Sequence, residues 1–181
     1  MKKIILIIVM LWVSLLQAEG SEIKKAYFAG GCFWGVEYYL EKAEGVLSVD
    51  SGYMGGRTKN PTYRDVSYKN TGHIESVEVV YDASKTSYET LARLFFEIHD
   101  PTQKGRQGPD RGEQYSSVIF YSNAKEQNIL VKLIKILRTN GYNVQTQLRP
   151  VVTFYKAESY HQNYYDNKGT MPYCHGYTKR F

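Results

Sequence analysis

A cysteine follows a glycine pair and precedes two large aromatics in Gly30-Gly31-Cys32-Phe33-Trp34-Gly35-Val36-Glu37, and the second cysteine of the chain, Cys174, lies near its C-terminal Phe181. Two thiols so placed allow two kinds of chemistry. They can close a structural disulfide, the ordinary fate of a cysteine pair in an oxidising compartment. Alternatively, Cys32 is a nucleophile and Cys174 the thiol that resolves it. The flanks weigh against a staple, because a structural bridge needs neither Gly-Gly before it nor Phe-Trp after it. Cys174, among Tyr173, His175, Gly176 and Tyr177, also reads as part of a mobile tail. A helix beginning at Phe33 would put Cys32 at its N-terminus, which favours the attacking thiolate.

Glu75 is the second chemical signal. Along His73 to Tyr81, the alternate positions Val77, Val79 and Tyr81 share one strand face with Glu75, whereas Glu78 points the other way. A carboxyl group at the head of an apolar face either sits at a solvated edge or is half buried. In the second case desolvation keeps it protonated near neutral pH and makes it a general acid. Ionised, it would oppose a Cys32 thiolate, so the two agree only if Glu75 is neutral or if the thiol ionises when substrate binds. Phe33 and Trp34 are adjacent on one helix, so at least one lines a cavity unless both are core aromatics. His73, His99, His161 and His175 lack metal-ligand spacing with either cysteine and read as structural or solvated, so no metal is implied. Most of the seventeen tyrosines read as packing residues with a polar tip.

The elements that must position these groups follow from hydrophobic period and turn chemistry. Lys24 to Ala29 predicts a strand, Phe33 to Lys42 a helix with Val36 and Leu40 one turn apart, and Val46 to Tyr53 a second strand. Met54 to Gly72 has no period and reads as a long functional loop. His73 to Tyr81 is the third strand. Thr86 and Glu89 form a capping box for a helix carrying Leu91, Leu94, Phe95 and Ile98. After the irregular stretch Asp100 to Gln114 come a strand at Ser116 to Tyr121 and a helix capped by Asn123 and Glu126, ending at Asn140-Gly141. A short strand or two near Val151 to Phe154, a helical turn near Tyr160 and a coil-rich C-terminal tail complete the chain. The order β-α-β-β-α-β predicts an α+β fold, the ferredoxin-like split βαβ two-layer sandwich with long loops. In that topology the first and third strands are antiparallel neighbours, which brings Cys32 and Glu75 to one end of the sheet.

Residues 1–18, MKKIILIIVMLWVSLLQA, join a basic pair, a short apolar run and a small residue at Ala18. The run is shorter than a membrane span requires, so it reads as a secretory signal peptide, with an uncleaved anchor as the alternative. The protein is therefore expected to be exported, periplasmic or secreted. Residues 19–181 fit one domain, with no repeat or linker to divide them. The formal charge of +5 includes Lys2 and Lys3 of the leader, and the other basic residues are mixed with acids, so nucleic acid and anionic membrane surfaces are not implied.

Five further motifs share this order: Asn60-Pro61-Thr62-Tyr63-Arg64, Thr71-Gly72-His73 with Glu75, His99-Asp100-Pro101-Thr102, Arg106-Gln107-Gly108-Pro109-Asp110, and Gln114-Tyr115. Together with Gly31 to Glu37 they make the chain resemble the peptide methionine sulfoxide reductase A family over roughly residues 24–176. That resemblance implies that Cys32 attacks the sulfoxide sulfur, that Glu75 supplies a proton, and that the hydroxyls of Tyr63 and Tyr115 bind the leaving oxygen. It further implies that Asp110 organises the polar side of the pocket while Phe33 and Trp34 hold the substrate methyl group. The S epimer of methionine sulfoxide, free or in oxidised proteins, is the implied substrate, and the resulting Cys32 sulfenic acid condenses with Cys174. No cofactor is implied beyond an external dithiol, thioredoxin or similar, acting on a monomer. Some members carry a third cysteine that relays the disulfide outward; with Cys174 alone, a single-step relay is expected. The rival readings are a thiol peroxidase or other thiol oxidoreductase using the same two cysteines, and an exported binding module stapled by a structural disulfide.

Overall fold

In the computed structural model of the chain, which describes residues 22–181, the elements run β1 (Ile23–Gly30), α1 (Phe33–Leu40), β2 (Val46–Met54), α2 (Tyr63–Tyr68), β3 (Ile74–Asp82), α3 (Tyr88–Ile98), β4 (Arg106–Gln107), β5 (Asp110–Arg111), β6 (Ser117–Tyr121), α4 (Ala124–Thr139), β7 (Gln147–Pro150), β8 (Phe154–Lys156) and α5 (Tyr164–Lys168). The leader expected at residues 1–18 lies outside the described residues. Among those described, no helix is long and apolar enough to cross a membrane.

Six strands form one sheet in the order β7-β6-β1-β3-β2-β8. β1 pairs antiparallel with both β3 and β6, and β3 pairs antiparallel with β2. With α1 and α3 as the two crossovers, these four strands have the split βαβ order expected of the ferredoxin-like α+β class. The sheet is wider than that core, because β7 adds parallel to β6 and β8 adds antiparallel to β2. The strands expected near Val151–Phe154 thus flank that stretch and sit on opposite edges of the sheet.

Strand alternation separates two cores. Ala26 and Phe28 of β1, Val77, Val79 and Tyr81 of β3 and Ile119 of β6 face the helix layer, where Val36, Leu91, Phe95, Leu133 and Leu137 cover them. The opposite face carries a smaller cluster of Ala29, Met54, Ile74, Val118 and Phe120 under Val151 and Phe154. Phe28 anchors the larger core, fully buried with its ring 5.1 Å from Phe95 and 6.2 Å from Tyr88.

Three boundaries differ from expectation for local reasons. α3 is capped by Ser87, whose hydroxyl accepts from the Thr90 N–H at 3.1 Å, because the Thr86 N–H is already committed to the Asp82 carbonyl in the turn after β3. α1 ends at Leu40 rather than Lys42. The segment expected to be irregular between Met54 and Gly72 contains α2, started by a reciprocal capping box in which Thr62 and Asp65 each bond the other's backbone N–H. The Asn123 cap of α4 forms as expected, accepting from the Glu126 N–H at 3.0 Å.

Truncating Phe28 leaves a void between β1 and α3 that neighbouring rings cannot close without leaving their rotamers. Phe28→Ala is expected to lower the unfolding free energy by about 3–5 kcal/mol, read as an earlier denaturant midpoint at unchanged slope.

Candidate active site

β1 ends at Gly30, and Gly31 turns the chain at φ +94°, so that Cys32 enters α1 in the N-cap position. A side chain at Gly31 would be strained by that φ and would also meet the Gln107 Cβ at 2.5 Å. A Cβ on Gly35, one turn into α1, would collide with the His175 ring. The glycines around Cys32 therefore make room for two distant segments, the β4–β5 hairpin and the tail.

β1 and β3 pair up to Phe28 opposite Val77, and two residues further along β3 Glu75 reaches the start of α1. Its carboxyl is 1 % exposed and accepts the Phe33 N–H at 3.2 Å through Oε2. Burial is the main reason its pKa is raised to about 8; the Phe33 N–H opposes this, and the Asp110 and Cys174 charges add to it. Glu75 therefore holds its proton at pH 7, the buried one of the two alternatives that its place on an apolar strand face left open.

The cysteines are both free, and the two thiols lie near enough for each to shift the other's ionisation. The Cys174 thiol, then burial, then the Glu75 charge push the Cys32 thiol well above its ordinary range, outweighing the Trp34 N–H that pulls it down. Of the two ways in which an acidic Glu75 and a nucleophilic Cys32 can agree, this environment favours ionisation of the thiol when substrate binds, because a buried thiol beside a carboxyl costs more to ionise than one helix turn returns. Cys174 moves the other way: the Cys32 thiol and the His175 ring lower it, against its own burial.

A cavity of about 100 Å³ opens at Cys32, lined by Phe33, Trp34, Tyr63, Glu75, Asp110, Tyr115 and Tyr173. The structure brings together every residue singled out from the sequence, with Cys174 adjoining Cys32. A larger groove of about 660 Å³ between α4 and β7 contains none of these groups. The two aromatics divide the roles foreseen for them. Phe33 is 1 % exposed and packs 5.8 Å from Tyr53 and 5.0 Å from His161, forming a floor. Trp34 is a wall: its ring stacks on Tyr164 at 3.5 Å and 4°, and its Nε1–H donates to His161 Nδ1 at 3.1 Å.

The polar side is assembled from three remote pieces. Tyr63 opens α2, and its N–H donates to Glu158 at 2.9 Å, while Tyr53 donates to the other oxygen of the same carboxylate at 2.9 Å. Tyr115 ends a 3₁₀ turn at Glu113–Tyr115 and lines the same cavity as Tyr63. Burial first, and the Glu75 charge second, push both phenols upward, so both are donors. Asp110 arrives on the β4–β5 hairpin, held by Gln107, which is 3 % exposed and bonds both the N–H and the C=O of Asp100 at 3.1 Å. Burial and then the Cys174 charge raise the Asp110 pKa, and Tyr173 donates to its Oδ1 at 3.5 Å.

Three contributors escape a reading of local pattern: Tyr173 on the cavity, His161 behind Trp34, and His175 behind Cys174. None of them stands in a periodic segment, and only their nearness to Cys174 or to a tyrosine run could have flagged them. The tail is docked rather than loose. The Gly176 and Thr178 N–H groups bond the Ile98 and Glu97 carbonyls, and the Arg180 guanidinium bonds the Phe96 and His99 carbonyls. Among the described residues no group of His, Cys, Asp and Glu side chains has an arrangement that could hold a metal ion.

Comparison with known proteins places the chain in a family. The family model described as peptide methionine sulfoxide reductase matches residues 24–180. A protein of Ruthia magnifica subsp. Calyptogena magnifica named peptide methionine sulfoxide reductase MsrA is 46 % identical over 148 residues, covering 82 % of this chain and 89 % of its own. The crystal structure of Mxr1 from Saccharomyces cerevisiae in reduced form superposes with a TM-score of 0.81 at 30 % identity, covering 86 % of this chain and 92 % of that one. Mxr1 solved in complex with Trx2 has the same fold at a TM-score of 0.59 and 22 % identity over 91 % of this chain and 96 % of that one. With a match that spans the sheet, the helices and both cysteines, the chain belongs to the peptide methionine sulfoxide reductase A family.

Proposed function

We propose that this chain reduces the S epimer of methionine sulfoxide to methionine, with Cys32 as nucleophile, Glu75 as acid and Cys174 as resolving thiol. The observation that carries the reading is a neutral, buried Glu75 on the rim of the same small cavity as the Cys32 thiol. A sulfoxide oxygen is a poor leaving group until protonated, and a carboxyl that holds its proton up to about pH 8 can supply one.

Cys32 Sγ attacks the sulfoxide sulfur while Glu75 protonates the oxygen. That attack joins Cys32 Sγ to the substrate sulfur; as the S–S bond then breaks, the protonated oxygen passes from the substrate sulfur to Cys32 Sγ, so that methionine leaves and Cys32 is left as a sulfenic acid, and the thiol proton of Cys32 restores Glu75. Tyr63 and Tyr115 donate to the oxygen as negative charge builds on it. Phe33 and Trp34 receive the methyl group. A sulfur bearing oxygen, methyl, side chain and lone pair fits between a donor wall and an aromatic wall in one configuration only, which is why a single epimer is reduced.

Cys174 then displaces the hydroxyl to give a disulfide and water. An external dithiol, thioredoxin or a similar protein, returns both cysteines to thiols in one exchange; the yeast relative captured with Trx2 supports that class of reductant. Residues 19–181 act as one catalytic unit and a monomer, and the leader pattern of residues 1–18 supports export to the periplasm or beyond.

Single-turnover measurements test the thiol roles. Cys174→Ser is expected to release about one methionine per chain and then fail to recycle with thioredoxin, whereas Cys32→Ser releases none; absence of the first methionine from Cys174→Ser would overturn the assignment.

Glu75→Gln separates chemistry from stability. In the unfolded chain this carboxyl ionises near its ordinary 4.5, in the folded chain near 8, so the folded state binds the extra proton between those values. Wild type therefore loses stability as pH rises through that window, and the Gln variant does not. The melting temperature of Glu75→Gln relative to wild type is expected to climb from pH 4 to pH 8. Its reduction rate should be lower by about a hundredfold at pH 7, with the fall in the wild-type rate above pH 8 abolished. An unchanged rate would remove Glu75 from the mechanism.

N-terminal sequencing of protein recovered from the periplasm or medium is expected to begin after Ala18. Full-length chain confined to the cytoplasm would overturn the export reading.

A further inference from the structure

His175 is 7 % exposed and unusually constrained for a residue so near a chain end. Its Nε2 lies 2.7 Å from the Gly30 carbonyl oxygen. A carbonyl can only accept, so Nε2 carries the hydrogen, and in the neutral ring the lone pair is left on Nδ1. Nδ1 is 3.1 Å from Cys174 Sγ. One backbone carbonyl therefore sets the tautomer that aims a base at the resolving thiol.

The ring is held there by shape as well. It occupies the space over Gly35 where a Cβ would collide with Nδ1, and its Cε1 would lie 3.3 Å from a Cβ on Gly31. Two glycines of the nucleophile's own motif thus form a slot for an imidazole from the tail. Of the neighbouring carboxyls, Glu75 is neutral and bonded to the Phe33 N–H, and Asp110, which meets Tyr173 through Oδ1 and leaves Oδ2 without a partner, is the competitor for the Cys174 proton, whereas His175 Nδ1 is the group in direct hydrogen-bond contact with Cys174 Sγ.

We propose that His175 is a catalytic base for resolution: its Nδ1 takes the Cys174 proton ahead of the attack, and the Cys174 thiolate so formed attacks the Cys32 sulfenic acid. The electron pair of Cys174 forms the S–S bond, and the S–O bond breaks toward oxygen. Glu75 protonates the departing hydroxyl to water, and the imidazolium proton passes through solvent to restore Glu75. Cys174 is oxidised by the oxygen-bearing sulfur of Cys32, so no further oxidant is required. The His175 ring is also one of the contacts that lower the Cys174 thiol, second to Cys32 itself. The proposal rests on the reading of Cys32 as nucleophile and Cys174 as its resolving partner.

The test follows both halves of one turnover in rapid-quench samples of reduced protein mixed with S-methionine sulfoxide. Methionine release reports the first step; loss of the remaining free thiol, and trapping of sulfenic acid by dimedone, report the second. In His175→Ala and His175→Gln, disulfide formation is expected to slow by about a hundredfold, with dimedone adduct accumulating and methionine release far less affected. Added imidazole should restore the second step in His175→Ala, whose slot is empty, and not in His175→Gln, whose slot is filled. Unchanged disulfide formation, equal slowing of both steps, or no response of His175→Ala to imidazole would overturn the role. Wild type that fails to release methionine would instead overturn the underlying reading, whatever the His175 variants do.

Discussion

A carboxylic acid sealed beneath a helix N-terminus has few tolerable states, and Glu75 occupies one of them. It cannot ionise cheaply without water, and it cannot go unbonded in so dry a place. The Phe33 N–H at 3.2 Å satisfies one oxygen, and burial keeps the proton on. This single contact ties the head of β3 to the first turn of α1 and fixes the distance between an acid and a thiol. The sheet order exists, functionally speaking, to bring those two ends together: β1 and β3 are antiparallel neighbours, so β1 ends and β3 begins at the site.

The remaining groups are brought to that pair by segments with little internal regularity. α2 delivers Tyr63, a two-residue hairpin delivers Asp110, and a 3₁₀ turn delivers Tyr115. Each is short enough that local propensity could not hold it alone. Long-range polar bonds do so instead: Glu158 bridges Tyr53 and the Tyr63 N–H, and Gln107 straddles the Asp100 peptide. The site is rigid because its loops are pinned by buried side chains drawn from elsewhere in the chain.

That distinction explains what was legible in the sequence. The alternation in β3 is a local signal, so Glu75 could be placed on the core face, and the βαββαβ order then located it beside Cys32. Motif resemblance supplied Tyr63, Tyr115 and Asp110, which no periodicity marks. α2 was legible in principle, since Thr62 and Asp65 form a capping box, but the Gly and Asn residues on either side masked it. The edge strands β7 and β8, the docking of the tail, and the partners of His161 and His175 were not legible, because each depends on one remote hydrogen bond or on the absence of a Cβ. The resting state of Cys32 was left open for the same reason: a helix terminus is visible in a sequence, whereas the burial and the neighbouring thiol that oppose it are not.

The clamp of Arg180 on the carbonyls that end α3 secures the strand of tail that carries Cys174. A thiol fixed against its partner has a very high effective molarity, so in the mechanism proposed above a sulfenic acid at Cys32 would meet its trap almost as it appears. Sulfenic acids left waiting are carried on to sulfinic and sulfonic acids, from which the cysteine does not return. In that mechanism the strap is a safeguard against over-oxidation, letting a repair enzyme pass through its most vulnerable state amid the same oxidants that damage its substrates.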